Sequence, residues 1–364
     1  MSISIFDKRV AYLDGMRGLA ILLVGLGHIF VEVNVFKIGW IGLNLFFILS
    51  GFLISQRLYH HLGEGDKYGY FKKFYHRRAL RILPLYFAVL FFYFIILPWF
   101  YSNYTLYYFD LRNAQMWYWT FLSNWWMIIY GLPKTPDLFH FWSLAVEEQF
   151  YLCWPFLFLF FNSGRNQFYG ILFLIVCCSL FRATQQSPFN TYLNPITAAE
   201  PLLFGCFVCI CVHKNVLEKF YTAIALLAIA SIFGLIFVFS KNSNFTIDNR
   251  FLLKYGYSFI NILFVFFLTT CILTKYLSNS MRRFFSLNWL VWLGKYSYGI
   301  YIFHWIILKV FAYKLENILT QMHVAKIISY LLPRLLVILS CLLLSYYSYH
   351  FYEKKFLKLK THIA

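Results

Sequence analysis

The sequence predicts an all-α, polytopic membrane protein: a bundle of about ten transmembrane helices with both termini in the cytoplasm. Three observations predict this class. Hydrophobic residues make up 61% of the 364 residues and charged residues only 13%, with a mean hydropathy of +0.63, which is far from the composition of a globular domain. Apolar windows long enough to cross a bilayer recur along the chain. Lys and Arg concentrate in alternate connections between those windows.

A transmembrane helix requires about twenty apolar residues, and ten windows of this kind are separated by polar connections. They lie near residues 18–36, 38–56, 82–100, 143–161, 166–182, 197–213, 220–239, 255–274, 296–313 and 327–349. The sixth window is the weakest. No internal repeat or hydrophilic region divides the series, so we expect residues 1–364 to form a single membrane-embedded domain.

The formal charge is +18, which alone would suit either nucleic acid or an anionic membrane face. With the N-terminus inside, nineteen Lys and Arg residues fall in cytoplasmic connections and nine in outer ones. Positive residues stay on the cytoplasmic side, so both termini are expected there. Topology and anionic lipid then account for most of the charge, and no nucleic-acid partner is expected. The longest outer connection, about residues 101–142, is rich in Trp and is expected to lie in the interface or re-enter the membrane, where it could cover a cavity.

The eight cysteines lie within apolar runs, where cysteine behaves as a small hydrophobic residue. Cys206, Cys209 and Cys211 have a spacing that superficially suits a metal, but no second Cys/His pair stands at the required distance. We therefore expect these residues to belong to the core, and we assign no metal.

The first window begins near Arg17 and reaches His28, which lies about 16 Å further along a helix. Ionisable residues within a membrane are costly and usually serve a function. His28 is therefore a candidate functional residue deep in the membrane, with Arg17 near the inner face. The alternative is that Arg17 marks the cytoplasmic side and His28 bonds a neighbouring backbone group.

An arginine cluster, Arg77, Arg78 and Arg81, precedes the third window. Arg78 and Arg81 share a helix face, and guanidinium groups offer planar, paired donors to phosphate oxygens. At the start of a helix such groups can share an anion with free backbone amides. The sequence therefore suggests a phosphate site, although a charge cluster that contacts lipid head groups is the more common explanation for this motif alone.

Two later windows also carry polar residues. Glu147 and Glu148 open the fourth window from the outer side, and since adjacent helical residues point about 100° apart, one of them is expected to face the interior. Ser297, Tyr301 and His304 recur on one face of the ninth window. The carboxylates could instead serve as helix-start acids, and the Tyr and Ser could simply bond between packed helices.

Taken together and in this order, five segments resemble the acyltransferase-3 family of integral membrane O-acyltransferases, and the resemblance covers nearly the whole chain. They are residues 13–19 with His28, residues 42–54, the arginine cluster with Pro84 and Tyr86, residues 142–151 and residues 297–305. Asn44 stands where the family commonly has Asp.

The resemblance implies transfer of an acyl group, by default acetyl, from cytoplasmic acyl-CoA (acetyl-CoA) to a hydroxyl of a cell-surface polysaccharide or its lipid-linked precursor. An acceptor of the O-antigen or exopolysaccharide type and a location in the bacterial inner membrane are expected. Many relatives carry an additional extracytoplasmic, hydrolase-like domain. Without one in this sequence, direct transfer within the membrane domain is expected.

The candidate residues suit this chemistry. Arg17 and the arginine cluster would bind the phosphates of coenzyme A at the inner face. His28 would be the general base, with a covalent acyl-His intermediate as the mechanistic alternative. Glu147 or Glu148, together with Tyr301, would orient the acceptor or the imidazole.

A proton-coupled transporter or glycan flippase is the alternative function, because buried His and Glu residues also suit a proton path. Two features oppose it. The two halves of the sequence show no repeat, and the arginine cluster suits a bound phosphate better than a route for ions.

Overall fold

The computed structural model describes residues 10–62, 67–100, 105–161, 164–241, 245–273 and 278–359. Within these ranges all regular structure is helical and no strand is present, which confirms the predicted all-α class. The α-helices, in chain order, are α1 Ala11–Ile29, α2 Ile41–Leu62, α3 Lys67–Phe91, α4 Leu97–Phe100, α5 Thr105–Trp119, α6 Ser123–Tyr130, α7 Phe141–Phe160, α8 Gly164–Thr184, α9 Pro188–Leu193, α10 Pro195–His213, α11 Leu217–Lys241, α12 Tyr257–Ile272, α13 Ser278–Phe285, α14 Asn288–Ile307, α15 Tyr313–Gln321, α16 Lys326–Tyr347 and α17 Lys354–Lys358.

Short helices of other types join or extend these elements. The 3₁₀ helices are Asn34–Trp40 and Pro136–Leu138, and the π-helical turns are Phe92–Ile96, Leu252–Gly256, Leu308–Ala312 and Ser348–Glu353. Isolated π turns within α-helices are frequent at functional sites. The turn at Leu308–Ala312 directly follows the helix that carries Tyr301 and His304.

Eight helical stretches in the described ranges are long and apolar enough to cross a membrane. They are Ala11–Ile29, Asn34–His60, Gly69–Trp99, Asn166–Thr184, Pro195–His213, Leu217–Lys241, Leu252–Ile272 and Lys326–Lys358. Each overlaps one of the predicted windows, so a polytopic helical membrane protein is confirmed. The remaining two windows overlap α7 and α14, which are helical but outside this set. A count of ten spans and the side of each terminus stay predictions.

The chain divides into two compact units. That residues 1–364 form a single membrane-embedded domain stays a prediction. The first unit comprises, among described residues, 10–27, 32–62, 146–161, 164–241, 245–273 and 278–295. The second comprises 28–31, 67–100, 105–145 and 296–359. Each unit is described on its own below.

In the first unit, α2 packs closely against α10. Gly51 and Gly205 make this approach possible, because a Cβ atom at Gly51 would collide with the carbonyl of Leu202, and one at Gly205 with the carbonyl of Ile48. Small residues at helix crossings are typical of membrane proteins, where close packing replaces the hydrophobic effect between helices. Both glycines are therefore fixed by packing.

A buried polar network joins four helices of the first unit. Arg182 of α8 forms an ion pair with Glu200 of α10, and these side chains are 2% and 0% exposed. Ser258 of α12 receives a hydrogen bond from Arg182 at 2.6 Å and donates one to Glu200 at 2.7 Å. Asn261 lies 3.4 Å from Glu200 and accepts a bond from Asn44 of α2 at 2.7 Å. Such networks hold membrane helices together because each buried polar group finds a partner.

In the second unit, α3 packs against α5, α17 and the π turn at Ser348–Glu353. Two tyrosine hydroxyls reach the α3 backbone from elsewhere in this unit. Tyr298 donates to the carbonyl of Ile82 at 2.6 Å, and Tyr352 donates to that of Pro84 at 3.2 Å. The arginine-bearing helix is therefore fastened to α14 and to the C-terminal helical segment.

The end of α1 is fixed within the second unit by a buried arginine. Arg334 of α16, 1% exposed, donates to the carbonyl of Ile29 at 3.1 Å and pairs with Glu316 of α15 at 2.8 Å. Its guanidinium also lies over the Tyr330 ring, 3.5 Å from the centroid. The last carbonyls of a helix lack partners within the helix, so this arginine satisfies one of them. It thereby holds the residue that follows His28.

Candidate active site

A pair of histidines forms the centre of the candidate site in the second unit. His28 Nδ1 lies 2.9 Å from His304 Nε2, and the two ring planes are nearly parallel, at 4°. The sequence places these residues 276 positions apart, so the fold creates the pair. His28 is half-buried, whereas His304 is 1% exposed.

The hydrogen bonds of His304 assign the tautomer of both rings. His304 Nδ1 lies 2.7 Å from the carbonyl oxygen of Tyr301 and 3.1 Å from that of Ile300. Carbonyl oxygens only accept, so in the neutral ring Nδ1 carries the hydrogen and Nε2 carries the lone pair. His28 Nδ1 must then donate to His304 Nε2. The lone pair of His28 is left on Nε2, which has no protein partner among the described residues.

A third buried histidine, His140, packs against this pair. Its ring centroid lies 5.3 Å from that of His304 in an edge-to-face arrangement. Its Nε2 lies 3.1 Å from the carbonyl oxygen of Ile302. Burial lowers the pKa of His140 well below that of an ordinary histidine; the neighbouring His304 and His28 lower it further, and the bond with Ile302 acts in the opposite direction. His140 is therefore neutral at physiological pH.

The hydroxyl of Tyr301 forms hydrogen bonds within the protein. The hydroxyl donates to the carbonyl of His140 at 2.7 Å and lies 2.5 Å from Ser143 Oγ. Ser143 Oγ is also 3.2 Å from the His140 carbonyl. Tyr301 therefore anchors the backbone of His140. Ser143, which lies in the segment 142–151 that resembles the family, belongs to the same hydrogen-bonded group.

Aromatic and charged groups flank the histidines. The ring of Trp305 meets that of His28 edge to face, with 4.6 Å between centroids, and its Nε1 donates to the carbonyl of Pro136 at 2.6 Å. The ammonium of Lys309 lies over the Trp305 ring, 4.8 Å from the centroid. Asp137 accepts a hydrogen bond from Tyr93 at 2.7 Å. Burial raises the pKa of Asp137, while the Tyr93 bond and then Lys309 and Lys314 lower it.

The arginine cluster lies within the second unit on α3, with Arg78 buried at 8% exposure and Arg77 and Arg81 half-buried. The shared face of Arg78 and Arg81 agrees with the sequence analysis. The prediction that free backbone amides at a helix start share the bound anion is wrong, because α3 begins at Lys67 and the cluster lies about three turns inside the helix. Any anion bound here must be held by side chains.

Three other predicted residues belong to the first unit. Arg17 lies on α1, and Glu147 and Glu148 lie on α7, where both carboxylates are half-buried. Glu148 has one carboxylate oxygen shielded from solvent. The proposed roles of these three residues in donor binding and acceptor orientation stay predictions.

Several residues of the site were not identified from the sequence. His140, Asp137 and Lys309 are the main ones, and none of them lies within the motif positions considered for chemistry. A usable signal existed for His140, which stands two positions before Trp142 in the long connection that was expected to cover a cavity. The connection does supply His140 and Asp137 to the cluster. Among the described residues, no group of three or more His, Cys, Asp or Glu side chains is arranged to hold a metal ion.

Comparison with known proteins identifies relatives over most of the chain. Residues 10–350 match the acyltransferase domain of the acyltransferase-3 family. The peptidoglycan O-acetyltransferase OatA of Listeria monocytogenes serovar 1/2a is 29% identical over 317 residues, which cover 82% of this chain and 49% of the relative. YrhL of Bacillus subtilis strain 168 is 28% identical over 366 residues, 94% of this chain and 54% of the relative. The O-acetyltransferase OatA of Staphylococcus aureus strain NCTC 8325 is 25% identical over 317 residues, 80% of this chain and 49% of the relative.

The chain thus spans about half the length of the curated relatives that it matches. No solved structure matches it significantly. The family match extends over nearly all the described residues, including every segment on which the resemblance was based. The chain therefore belongs to the acyltransferase-3 family of integral membrane acyltransferases.

Proposed function

We propose that the chain is a membrane O-acetyltransferase that moves an acetyl group from acetyl-CoA to a hydroxyl of a cell-surface glycan. The observation that carries this proposal is the hydrogen-bonded pair His28–His304, which leaves the lone pair of His28 on Nε2. A half-buried imidazole with one nitrogen oriented by a fixed partner is the arrangement that general-base catalysis requires.

In the proposed reaction, His28 Nε2 takes the proton of the acceptor hydroxyl while the hydroxyl oxygen attacks the thioester carbonyl. A C–O bond forms, the C–S bond breaks, and the imidazolium returns the proton to the thiolate sulfur. His304 Nε2 holds the Nδ1–H of His28 throughout and stabilises the imidazolium. A covalent acyl-His28 intermediate is the alternative, and mass spectrometry of acid-quenched single turnovers distinguishes it from direct transfer.

For the donor, the arginine cluster supports a site for the phosphates of coenzyme A. Three guanidinium groups within five residues of α3 supply the charge and the paired donors that phosphate oxygens require. Arg17 is proposed to contribute from α1. The donor would enter from the cytoplasm, since the connection before the arginine cluster is predicted to be cytoplasmic.

For the acceptor, the family resemblance implies an O-antigen or exopolysaccharide, or the lipid-linked precursor of either. The names of relatives add peptidoglycan to this group, because OatA of Listeria monocytogenes is a peptidoglycan O-acetyltransferase. The chemical class common to all of them is a sugar hydroxyl presented at the outer face of a bacterial inner membrane. We propose this class as the acceptor.

The test uses protein purified in detergent and acetyl-CoA with a labelled acetyl group. We expect the wild type to acetylate a glycan acceptor, and His28→Gln to lose about 10²- to 10⁴-fold in rate while still binding coenzyme A. His60→Gln, which changes an exposed histidine of α2, is the matched control and should keep full activity.

Substantial transfer by His28→Gln would refute the assignment of the base and direct attention to Glu147 or Glu148. A wild type that transfers no acetyl group but moves a glycan precursor across vesicles would favour the transport alternative. Mass spectrometry of surface glycans from a deletion strain identifies the native acceptor.

A further inference from the structure

His140 carries a buried hydrogen-bond acceptor that the proposed mechanism does not use. Its Nε2 lies 3.1 Å from the carbonyl of Ile302, so in the neutral ring Nε2 holds the hydrogen and Nδ1 holds the lone pair. Nδ1 is buried and has no hydrogen-bond partner in the described part of the chain. Buried polar atoms without partners are rare in folded proteins, and one beside a candidate catalytic group requires a partner from outside the chain, such as a ligand or an ordered water.

The position of this nitrogen is strongly fixed. The Tyr301 hydroxyl, at 2.7 Å, and Ser143 Oγ, at 3.2 Å, both lie within hydrogen-bond distance of the His140 carbonyl. The ring is 1% exposed and is packed between Phe141, at 4.7 Å, and His304, at 5.3 Å between centroids. The contacts at the backbone carbonyl, at Nε2 and with the neighbouring rings therefore fix the direction in which Nδ1 points.

A neutral imidazole nitrogen with a lone pair binds an O–H or N–H donor. Two substrates of the proposed reaction have such groups: the glycan, with its hydroxyls, and the acyl donor, with the amides of its pantetheine arm. His140 lies in the connection predicted to be on the outer side, where the glycan is expected, whereas the arginine cluster proposed for the donor is on α3. A sugar also carries further hydroxyls next to the one that reacts.

We propose that His140 Nδ1 is an acceptor-binding atom, which receives a hydrogen bond from a sugar hydroxyl adjacent to the one deprotonated at His28. This inference rests on the proposed function and adds a residue that selects and orients the glycan. The acetylated position would then depend on two hydroxyls, one at each histidine. Tyr301 acts through His140 and is a positioning residue.

Two substitutions separate this role from a structural one. In His140→Asn the amide oxygen stands close to the position of Nδ1 and can still accept a hydrogen bond, but the bond to Ile302 is lost. In His140→Gln the amide nitrogen stands close to the position of Nε2 and can still donate to Ile302, but the acceptor at Nδ1 is lost. The two roles therefore predict opposite orders of effect.

The measurement is equilibrium binding to purified full-length protein of two probes, the N-acetylglucosamine–N-acetylmuramic acid disaccharide and free coenzyme A. We expect His140→Gln to bind the disaccharide about 5- to 10-fold more weakly than the wild type, the usual effect of one lost neutral hydrogen bond. His140→Asn should bind it almost as the wild type does. Both variants should bind coenzyme A normally.

Three outcomes would overturn the proposal: disaccharide binding weakened more by Asn than by Gln, weakened binding of coenzyme A in place of the disaccharide, or a wild type that does not bind the disaccharide. Because binding is measured without turnover, failure of the proposed function is seen separately. It would appear as a wild type that binds both probes and transfers no more acetyl group than His28→Gln does.

Discussion

His304 is held so that only its Nε2 can accept a hydrogen bond from a neighbour. Two backbone carbonyls of its own helix, those of Ile300 and Tyr301, occupy Nδ1, and His28 occupies Nε2. In a catalytic triad, a third group fixes the tautomer of the histidine that acts as the base. Here His304 fixes the tautomer of His28, and the two backbone carbonyls fix that of His304. In the proposed mechanism, His304 therefore positions His28.

A change of His304 to Ala should leave the His28 Nδ1–H without its acceptor and allow the proton to move to Nε2, where it blocks the base. We expect kcat to fall about 10²-fold or more, with KM for acetyl-CoA almost unchanged. His304→Gln, whose amide oxygen can still accept from His28, should keep more activity than His304→Ala.

The double variant His28→Gln with His304→Ala is the control for this reading. Residues that act as a unit show strongly non-additive effects, so the second change should cost no further activity. If the two losses multiplied, His304 would contribute independently of His28, and the positioning role would be incorrect.

At the scale of elements, α3 combines a long amphiphilic beginning with an apolar second half. Its arginines lie inside the helix, so their charges are presented by the face of a continuous helix and not by its end. Glu353 of the C-terminal π turn interacts electrostatically with Arg81 and accepts a hydrogen bond from Ser348 at 3.0 Å. The segment that packs on α3 thus partly offsets the positive charge of the cluster.

Replacement of either Arg78 or Arg81 by Ala should therefore raise the KM for acetyl-CoA about 10-fold or more, since a charge-assisted hydrogen bond to phosphate is lost. Lys should rescue poorly because it lacks the planar pair of donors. Arg112→Ala on α5, which removes an exposed arginine of the same unit, is the matched control. Unchanged donor affinity in both variants, with normal thermal stability, would reassign the cluster to lipid head groups.

At the scale of the whole molecule, the apolar windows predicted where helices lie because bilayer thickness imposes one length on every span. The same windows did not predict which side chains meet. Arg182, the last residue of the fifth predicted window, is buried against Glu200, because an ion pair compensates for the loss of solvation. The contact between His28 and His304 was not predicted either. Both residues were identified as candidates, but their contact depends on how helices that are far apart in sequence pack together.

Two helices that carry predicted site residues fall outside the set of apolar spans. Of the ten predicted windows, the two that overlap α7 and α14 are absent from the eight apolar spans. These helices carry Glu147 and Glu148 in one case, and Ser297, Tyr301 and His304 in the other. A helix that presents polar groups to a protein interior needs fewer apolar residues than one surrounded by lipid. Their lower hydropathy is therefore compatible with a transmembrane position.

Labelling with a membrane-impermeant maleimide on intact cells decides whether α14 crosses the membrane. In a background without native cysteines, Lys219→Cys at the start of α11 and His323→Cys between α15 and α16 both introduce exposed thiols. Three crossings, α11, α12 and α14, separate the two positions if ten spans are present. The charge distribution then places residue 219 inside and residue 323 outside, so only His323→Cys should react before permeabilisation. If α14 did not cross, two crossings would remain, both thiols would lie on the same side of the membrane, and the prediction of ten spans would be wrong.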